Sequence, residues 1–312
     1  MTHLHRLLQI QLPSPEQALP SAWHDNTNIA VTIKRDDLIH PVIAGNKWRK
    51  LSQHLIEITS KTQQATSIIS FGGGYSNHLH ALGYCCQQLG YPLTAIVRGD
   101  YSNNMTPMLQ DLVNWGTQIN FVTRSEYARR HEQSYLNEIA ERNATTNPII
   151  IPEGGSDSSC LSGAAQIISE LVNDYDYIIA PVASGGTLAG LCEGVKKYEK
   201  KTKILGIAVL KGEGYLESLV AELLNKNAPR ATTLTAPNNF TIIHDYHCGG
   251  YAKAPEYLRT ACSEFTKATH IPVEPIYSGK LIYAVQQLIS KGYFEDGSRV
   301  LLLHTGGLQG AR

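Results

Sequence analysis

Strand-like and helix-like stretches alternate along most of this chain, and that alternation restricts the fold more than any other feature. A β-rich run, SIISF, breaks at Gly72, Gly73 and Gly74. A helix follows from Ser76, with Leu79, Leu82, Cys86 and Leu89 on one face and a stop at Gly90. The next units are a strand over 93–97, a helix opened by Thr106 and Pro107 and closed by Gly116, a strand over 119–122, and a polar helix from Ser125 to about Asn143. The runs NPIIIP (147–152) and DYIIAPV (176–182) are apolar on both faces, as central parallel strands are. Helices are expected over 159–172, from Thr187, over 213–225, 255–269 and 279–291, and strands over 30–35, 204–210 and 300–303. Such a pattern predicts right-handed βαβ units on parallel sheets. Residues 1–30 are polar and broken by Pro13, Pro15 and Pro20, and read as a surface arm.

Three glycine loops fall at the carboxyl ends of strands: Gly72 to Asn77, Ser184 to Thr187, and Thr305 to Gly307. In open α/β sheets that edge is where ligands bind, so the three loops point to one cleft. Ser184-Gly185-Gly186-Thr187 has the make-up of a phosphate cradle, because glycines let successive N–H groups converge at a helix N-terminus. It lacks the lysine of a P-loop, and no dinucleotide fingerprint follows a strand elsewhere, so the ligand it suits is a single phosphate monoester. Apolar residues 48, 51, 55 and 58 share a helical face, which puts Lys47, in Gly45-Asn46-Lys47, at the start of a helix. A lysine together with a phosphate monoester site is the minimum equipment for pyridoxal phosphate.

Five segments in order, KRDDL with GNKWRKL, GGGYSNH, SGGTLAGL, EPIYSGK and the terminal HTGG, resemble the family of 1-aminocyclopropane-1-carboxylate (ACC) deaminase and D-cysteine desulfhydrase over nearly the whole chain. The resemblance implies an α/β protein of two open, twisted, mostly parallel sheets flanked by helices, the tryptophan synthase β-like fold of pyridoxal-phosphate enzymes. It implies a large domain from residues 1–49 and 161–312, a small one from 50–160, and a homodimer. Lys47 would carry the cofactor and shuttle the α-proton. Ser76 would face the substrate carboxylate or act as acid-base, Asn77 would lie by the cofactor's phenolic oxygen, and His78 and Tyr75 would adjoin the substrate. Ser184, Gly185, Gly186 and Thr187 would hold the phosphate, Thr305 would sit by the pyridine nitrogen, and Tyr251 and Tyr277 would approach the substrate.

The departures are informative. ACC deaminases typically carry glutamate directly after the tyrosine matched by Tyr277, and this chain has Ser278; His78 matches the desulfhydrases, where ACC deaminases tend to have glutamine. Ring opening of a cyclopropane without an α-hydrogen needs a strong electron sink, whereas β-elimination needs less, so both positions favour elimination, with D-cysteine as the expected substrate and ACC deamination or elimination from another D-amino acid as the alternatives. Tyr75, Ala44 and His80 replace the usual glutamine, glycine and arginine.

Composition excludes other classes. Lys+Arg and Asp+Glu are equal at 27 each, so no single-sign field suits nucleic acid or an anionic membrane. No apolar run approaches the roughly 20 residues that span a bilayer. The N-terminus lacks a signal-peptide core, and six scattered cysteines read as reduced and buried, so a soluble, cytoplasmic protein is expected. His78-Leu79-His80 and His244-x-x-His247 lack the further ligands of a zinc site, and no metal is expected. The expected partner is a small amino acid.

Overall fold

The computed structural model describes residues 3–24, 27–43, 45–60, 67–143, 148–226 and 240–311; Ala44 and Asn147 lie outside them. In chain order the elements are α1 (His3–Leu7), β1 (Glu16–Ala18), β2 (Ala30–Lys34), α2 (Asn46–Ser60), β3 (Ile68–Gly73), α3 (Asn77–Leu89), β4 (Leu93–Arg98), α4 (Pro107–Asn114), β5 (Gln118–Val122), α5 (Arg124–Ala128), α6 (Gln133–Arg142) and β6 (Ile149–Ile151). They continue with α7 (Ser159–Ser169), β7 (Tyr177–Val182), α8 (Gly186–Lys197), β8 (Lys203–Ala208), α9 (Tyr215–Lys226), β9 (Phe240–Ile243), α10 (Glu256–Thr269), α11 (Ser278–Ser290) and β10 (Arg299–Leu303).

The strands form two sheets. One has the order β5-β4-β3-β6 and is parallel throughout; the other has the order β1-β2-β10-β7-β8-β9, parallel except where β1 pairs with β2. Helices cover both, as the alternation predicts. The doubly apolar Tyr177–Val182 is buried at every position and sits between β10 and β8. Helix starts and stops follow the local chemistry: Ser76 and Thr106 cap α3 and α4 through their hydroxyls, and Gly90 ends α3 in the left-handed region. Among the described residues no helix is long and apolar enough to cross a membrane, and all six cysteines are free and buried.

Four expectations need correction. The N-terminal stretch is not only a surface arm. Leu4, Leu8 and Ile10 pack against Trp48, Leu51 and Leu55 of α2, Leu19 and Trp23 enter the core of the larger sheet, and β1 adds an edge strand. The prolines interrupted helical pattern without removing these apolar anchors. The polar helix divides at residues 129–132, where Arg129 stacks on Tyr135 and Arg130 on Tyr127, and no apolar position continues the helical face. The NPIIIP strand lies at an edge, paired with β3 alone; its two apolar faces serve separate clusters, Ile149 and Ile151 on one and Ile150 on the other. The irregular stretch before Tyr251 contains an edge strand, β9.

A buried guanidinium ties the first turn of helix α2 to the ends of β2 and α7. Arg49 donates from Nε and Nη2 to both oxygens of Asp36 at 3.0 and 2.9 Å, and from Nη1 and Nη2 to Glu170 at 2.5 and 2.8 Å. Removing one member of such a set strands the others' charge in the interior. Arg49→Met is expected to cost about 3–5 kcal/mol of stability. Arg142→Ala, which opens the more exposed pairs to Glu126 and Glu138, is expected to leave the unfolding midpoint nearly unchanged. Equilibrium urea denaturation of the two variants checks the contrast.

Candidate active site

The three glycine loops and the segment 274–277 converge on one cavity of about 1070 Å³. Lys47, Tyr75, Ser76, Asn77, His78, Ser184, Gly185, Thr187, Tyr251, Tyr277 and Thr305 all line it. Gly186 lies just behind the wall, where an added Cβ would sit 2.9 Å from Cys160 Sγ, 3.0 Å from Ser156 Oγ and 3.2 Å from Lys50 Cε.

Lys47 is placed by its neighbours. Gly45 has φ +66°, and a Cβ there would fall 1.8 Å from the Thr305 carbonyl oxygen, so only glycine lets α2 begin against the 305–307 loop. The adjacent Asn46 N–H reaches Thr305 O, and its side-chain amide donates to Thr187 Oγ1 at 2.8 Å. Lys47 Nζ donates to Asn46 Oδ1 at 2.9 Å, so one asparagine ties the lysine to the SGGT loop. Burial first, and then the nearby Lys50 charge, lower the Lys47 pKa to about 7 against the opposing charge of Glu274. A large fraction of the amine is therefore unprotonated at neutral pH.

Lys50 was not anticipated from sequence. It follows Lys47 by one helical turn, a spacing that could have exposed it, since residues three apart share a helix face. Its Nζ lies 2.5 Å from Ser156 Oγ and 3.2 Å from Ser184 Oγ, and the two hydroxyls are 2.7 Å apart. Burial also lowers the Lys50 pKa. Ammonium, two hydroxyls and the N-terminus of α8 thus meet at the Ser184–Thr187 loop. This donor set fits a phosphate, and the neighbouring amine of Lys47 fits an aldehyde.

Ser76 caps α3, its Oγ accepting from Leu79 N at 3.2 Å while the residue still lines the cavity. Asn77 Oδ1 accepts from the Gln309 side-chain amide. Ser70 donates to Ile151 O, so His78 must donate from Nε2 to Ser70 Oγ at 2.8 Å, leaving Nδ1 as a lone pair without a partner among the described residues. Burial, with Lys50 and Lys47 nearby, holds its pKa well below the usual histidine value. His80 instead faces Asp111 at 3.0 Å, so the two histidines of HLH diverge.

Tyr251 and Tyr277 approach within 3.0 Å through their hydroxyls, and burial followed by the Tyr251 neighbour pushes the Tyr277 pKa well above its usual value. Tyr277 thus stays a proton donor at neutral pH. Lys280, also unanticipated, is fully buried and donates to Val209 O at 2.9 Å and Gly250 O at 2.8 Å, tying the loop that carries Tyr251 to the end of β8. The Glu274 carboxylate accepts from the backbone N–H groups of Ile276, Tyr277 and Ser278 at 2.6, 2.9 and 2.7 Å, and from Ser278 Oγ at 3.1 Å.

An open α/β fold with a lysine of lowered pKa beside an anion cradle has the equipment of an enzyme that holds a phosphorylated aldehyde. The family comparison names that group: residues 12–306 match the family described as pyridoxal-phosphate dependent enzyme, and the chain belongs to it. Pyridoxal phosphate is accordingly its cofactor. A Pyrococcus furiosus protein named "Putative 1-aminocyclopropane-1-carboxylate deaminase" is 28% identical over 290 residues, covering 90% of this chain and 85% of the relative. The D-cysteine desulfhydrase of Klebsiella pneumoniae is 26% identical, covering 98% and 95%. A crystal structure of an ACC deaminase homologue superposes with a TM-score of 0.80 at 28% identity, covering 100% of this chain and 97% of the other.

Amines acylate only when unprotonated. Competitive acetylation of the cofactor-free protein, read by peptide mass spectrometry, is expected to show Lys47 titrating near pH 7, far below exposed lysines. Lys50→Met removes a positive neighbour, which favours the protonated form of Lys47, so the midpoint should move upward.

Proposed function

We propose that the chain catalyses α,β-elimination from a small amino acid, with D-cysteine as substrate and pyruvate, ammonia and hydrogen sulfide as products. The observation that carries this reading is Ser278 at the start of α11. Its hydroxyl and N–H are bonded to Glu274, whose carboxylate is already held by three backbone N–H groups. No free carboxylate therefore stands directly after Tyr277 to keep a pyridine nitrogen protonated, the condition that ring opening of a cyclopropane most needs. Elimination of a thiolate has no such need.

Lys50, Ser156, Ser184 and the N–H groups of the 184–187 loop would hold the phosphate, Lys47 would bond the aldehyde, and Thr305 would face the pyridine nitrogen. When bound, pyridoxal phosphate supplies an electron sink for the pair left by the broken Cα–H bond. Lys47, unprotonated near neutrality, takes the α-proton. Ser76 and Asn77 orient the substrate carboxylate, and His78 packs beside them. The Tyr251–Tyr277 pair delivers a proton to the leaving sulfur. The released three-carbon enamine takes up water to give pyruvate and ammonia. We place the site between a lobe of residues 50–160 and one of residues 1–49 and 161–312, in a cytoplasmic homodimer, a setting that six free buried thiols suit.

A second reading, ACC deamination to 2-oxobutyrate and ammonia, is favoured by the name of the Pyrococcus relative. A third, a carrier of the cofactor without turnover, is opposed by the convergence of Lys47, Ser76, Asn77 and both tyrosines on one cavity.

The purified holoenzyme is expected to release sulfide and pyruvate from D-cysteine faster than from L-cysteine, with no 2-oxobutyrate from ACC. Ketobutyrate from ACC with no sulfide from either cysteine would reverse the first two readings. An absorbance shift on adding amino acid without any product would favour the carrier. Lys47→Ala should lower elimination by at least about a thousandfold, since it removes both the attachment point and the base.

A further inference from the structure

Once the phosphate is given to Lys50 and Ser184 and the substrate carboxylate to Ser76 and Asn77, four arginines that line the cavity, Arg98, Arg124, Arg130 and Arg259, have no task, and two of them share one aromatic ring. Arg98, at the carboxyl end of β4, lines the cavity, and its Nη2 lies 3.9 Å from where a Cβ on Gly73 would be, against the loop that carries Ser76. Arg130 lines the same wall. Both guanidinium groups lie over the Tyr127 ring, at 5.5 and 4.9 Å from its centroid, which limits their freedom. Arg130 is paired with Glu153 at 2.9 Å, whereas among the described residues Arg98 pairs with no carboxylate. The second carboxylate lining the cavity, Glu274, is taken up by backbone N–H groups. The wall therefore holds an excess of fixed positive charge. The volume of about 1070 Å³ also lies just above the range of roughly 300–1,000 Å³ for small-molecule sites.

We propose that Arg98, supported by Arg130 on the Tyr127 ring, forms a second anion subsite that receives an oxyanion carried on the β-substituent of the substrate. The inference rests on the elimination reading and extends its substrate class beyond D-cysteine to amino acids whose leaving group bears a carboxylate, sulfate or phosphate. Guanidinium forks match such oxyanions in two-point contacts. The bond broken is the one from Cβ to the substituent, which departs with its electron pair as Lys47 takes the α-proton. For serine O-sulfate the balance is substrate plus water giving pyruvate, ammonia and sulfate.

The experiment compares wild-type holoenzyme with Arg98→Gln and Arg98→Lys on both enantiomers of serine O-sulfate and of β-chloroalanine, whose leaving chloride carries no oxyanion. Pyruvate release gives kcat/KM for each. The ratio of serine O-sulfate to β-chloroalanine is expected to fall about tenfold or more in Arg98→Gln, through KM, with the lysine variant between the two. Parallel losses on both compounds, or an unchanged ratio, would overturn the subsite. Should Arg98→Gln fail to fold, Arg130→Gln takes its place with the same expected direction. Should no compound be turned over, the elimination reading fails separately. Calorimetry of serine O-sulfate against serine on the same holoenzymes then decides the subsite: a preference for the sulfate lost in Arg98→Gln supports it, and equal affinities overturn it.

Discussion

The buried guanidinium of Arg49 is the contact on which the rest of the arrangement depends. It joins Asp36, just after β2, to Glu170, just after α7, and sits in the first turn of α2. Asp36 also accepts from Ser14 Oγ, and its backbone oxygen receives the Gly45 N–H. One carboxylate thus sets where the chain leaves the larger sheet and where α2 begins. Because 47 and 50 are one turn apart and 49 lies off that face, the same turn sends Lys47 into the cleft, Lys50 to the serines of its wall and a guanidinium into the interior. A slipped turn would leave a buried charge unpaired, which is why the lysines have so little choice of position.

The electrostatics of the cleft follow from that placement. Burial lowers the pKa of both amines, and the Lys50 charge adds to the effect on Lys47, whose pKa comes down to about 7. Glu274 could oppose this strongly, but its charge is shared with the N–H groups that start α11, so the amine remains a usable base. Burial favours the neutral form of the other cavity groups as well. Tyr277 keeps its proton and His78 stays neutral, so a base and a proton donor line one cavity.

Much of this was legible beforehand where local rules decide. Ser76 and Gly90 delimit α3 as capping chemistry predicts, and Tyr177–Val182 is buried on both faces as its composition requires. The site residues named from motifs line one cavity, Gly186 standing behind its wall. What escaped was decided by non-local partners. Lys50 reads as one more helical lysine until Ser156 and Ser184, over a hundred residues away, are brought to its Nζ. Lys280 reads as a helix-end charge until β8 and the 249–251 loop offer it two carbonyls. The N-terminal arm failed for the same reason, since Leu4 and Leu8 have no visible purpose until α2 covers them.

By itself the sequence determined the strand and helix alternation, the placing of glycine loops at strand ends and the kinship of the chain. These depend on periodicity, turn chemistry and motif order, all local or linear properties. The tertiary structure alone decided that Gly45 must approach Thr305 within the space of a missing Cβ, that Lys47 and Lys50 are both desolvated at one wall of the cleft, and that Ser278 and Glu274 hold each other. Burial and charge proximity set pKa values and hydrogen-bond partners, and both arise only when distant segments are packed together.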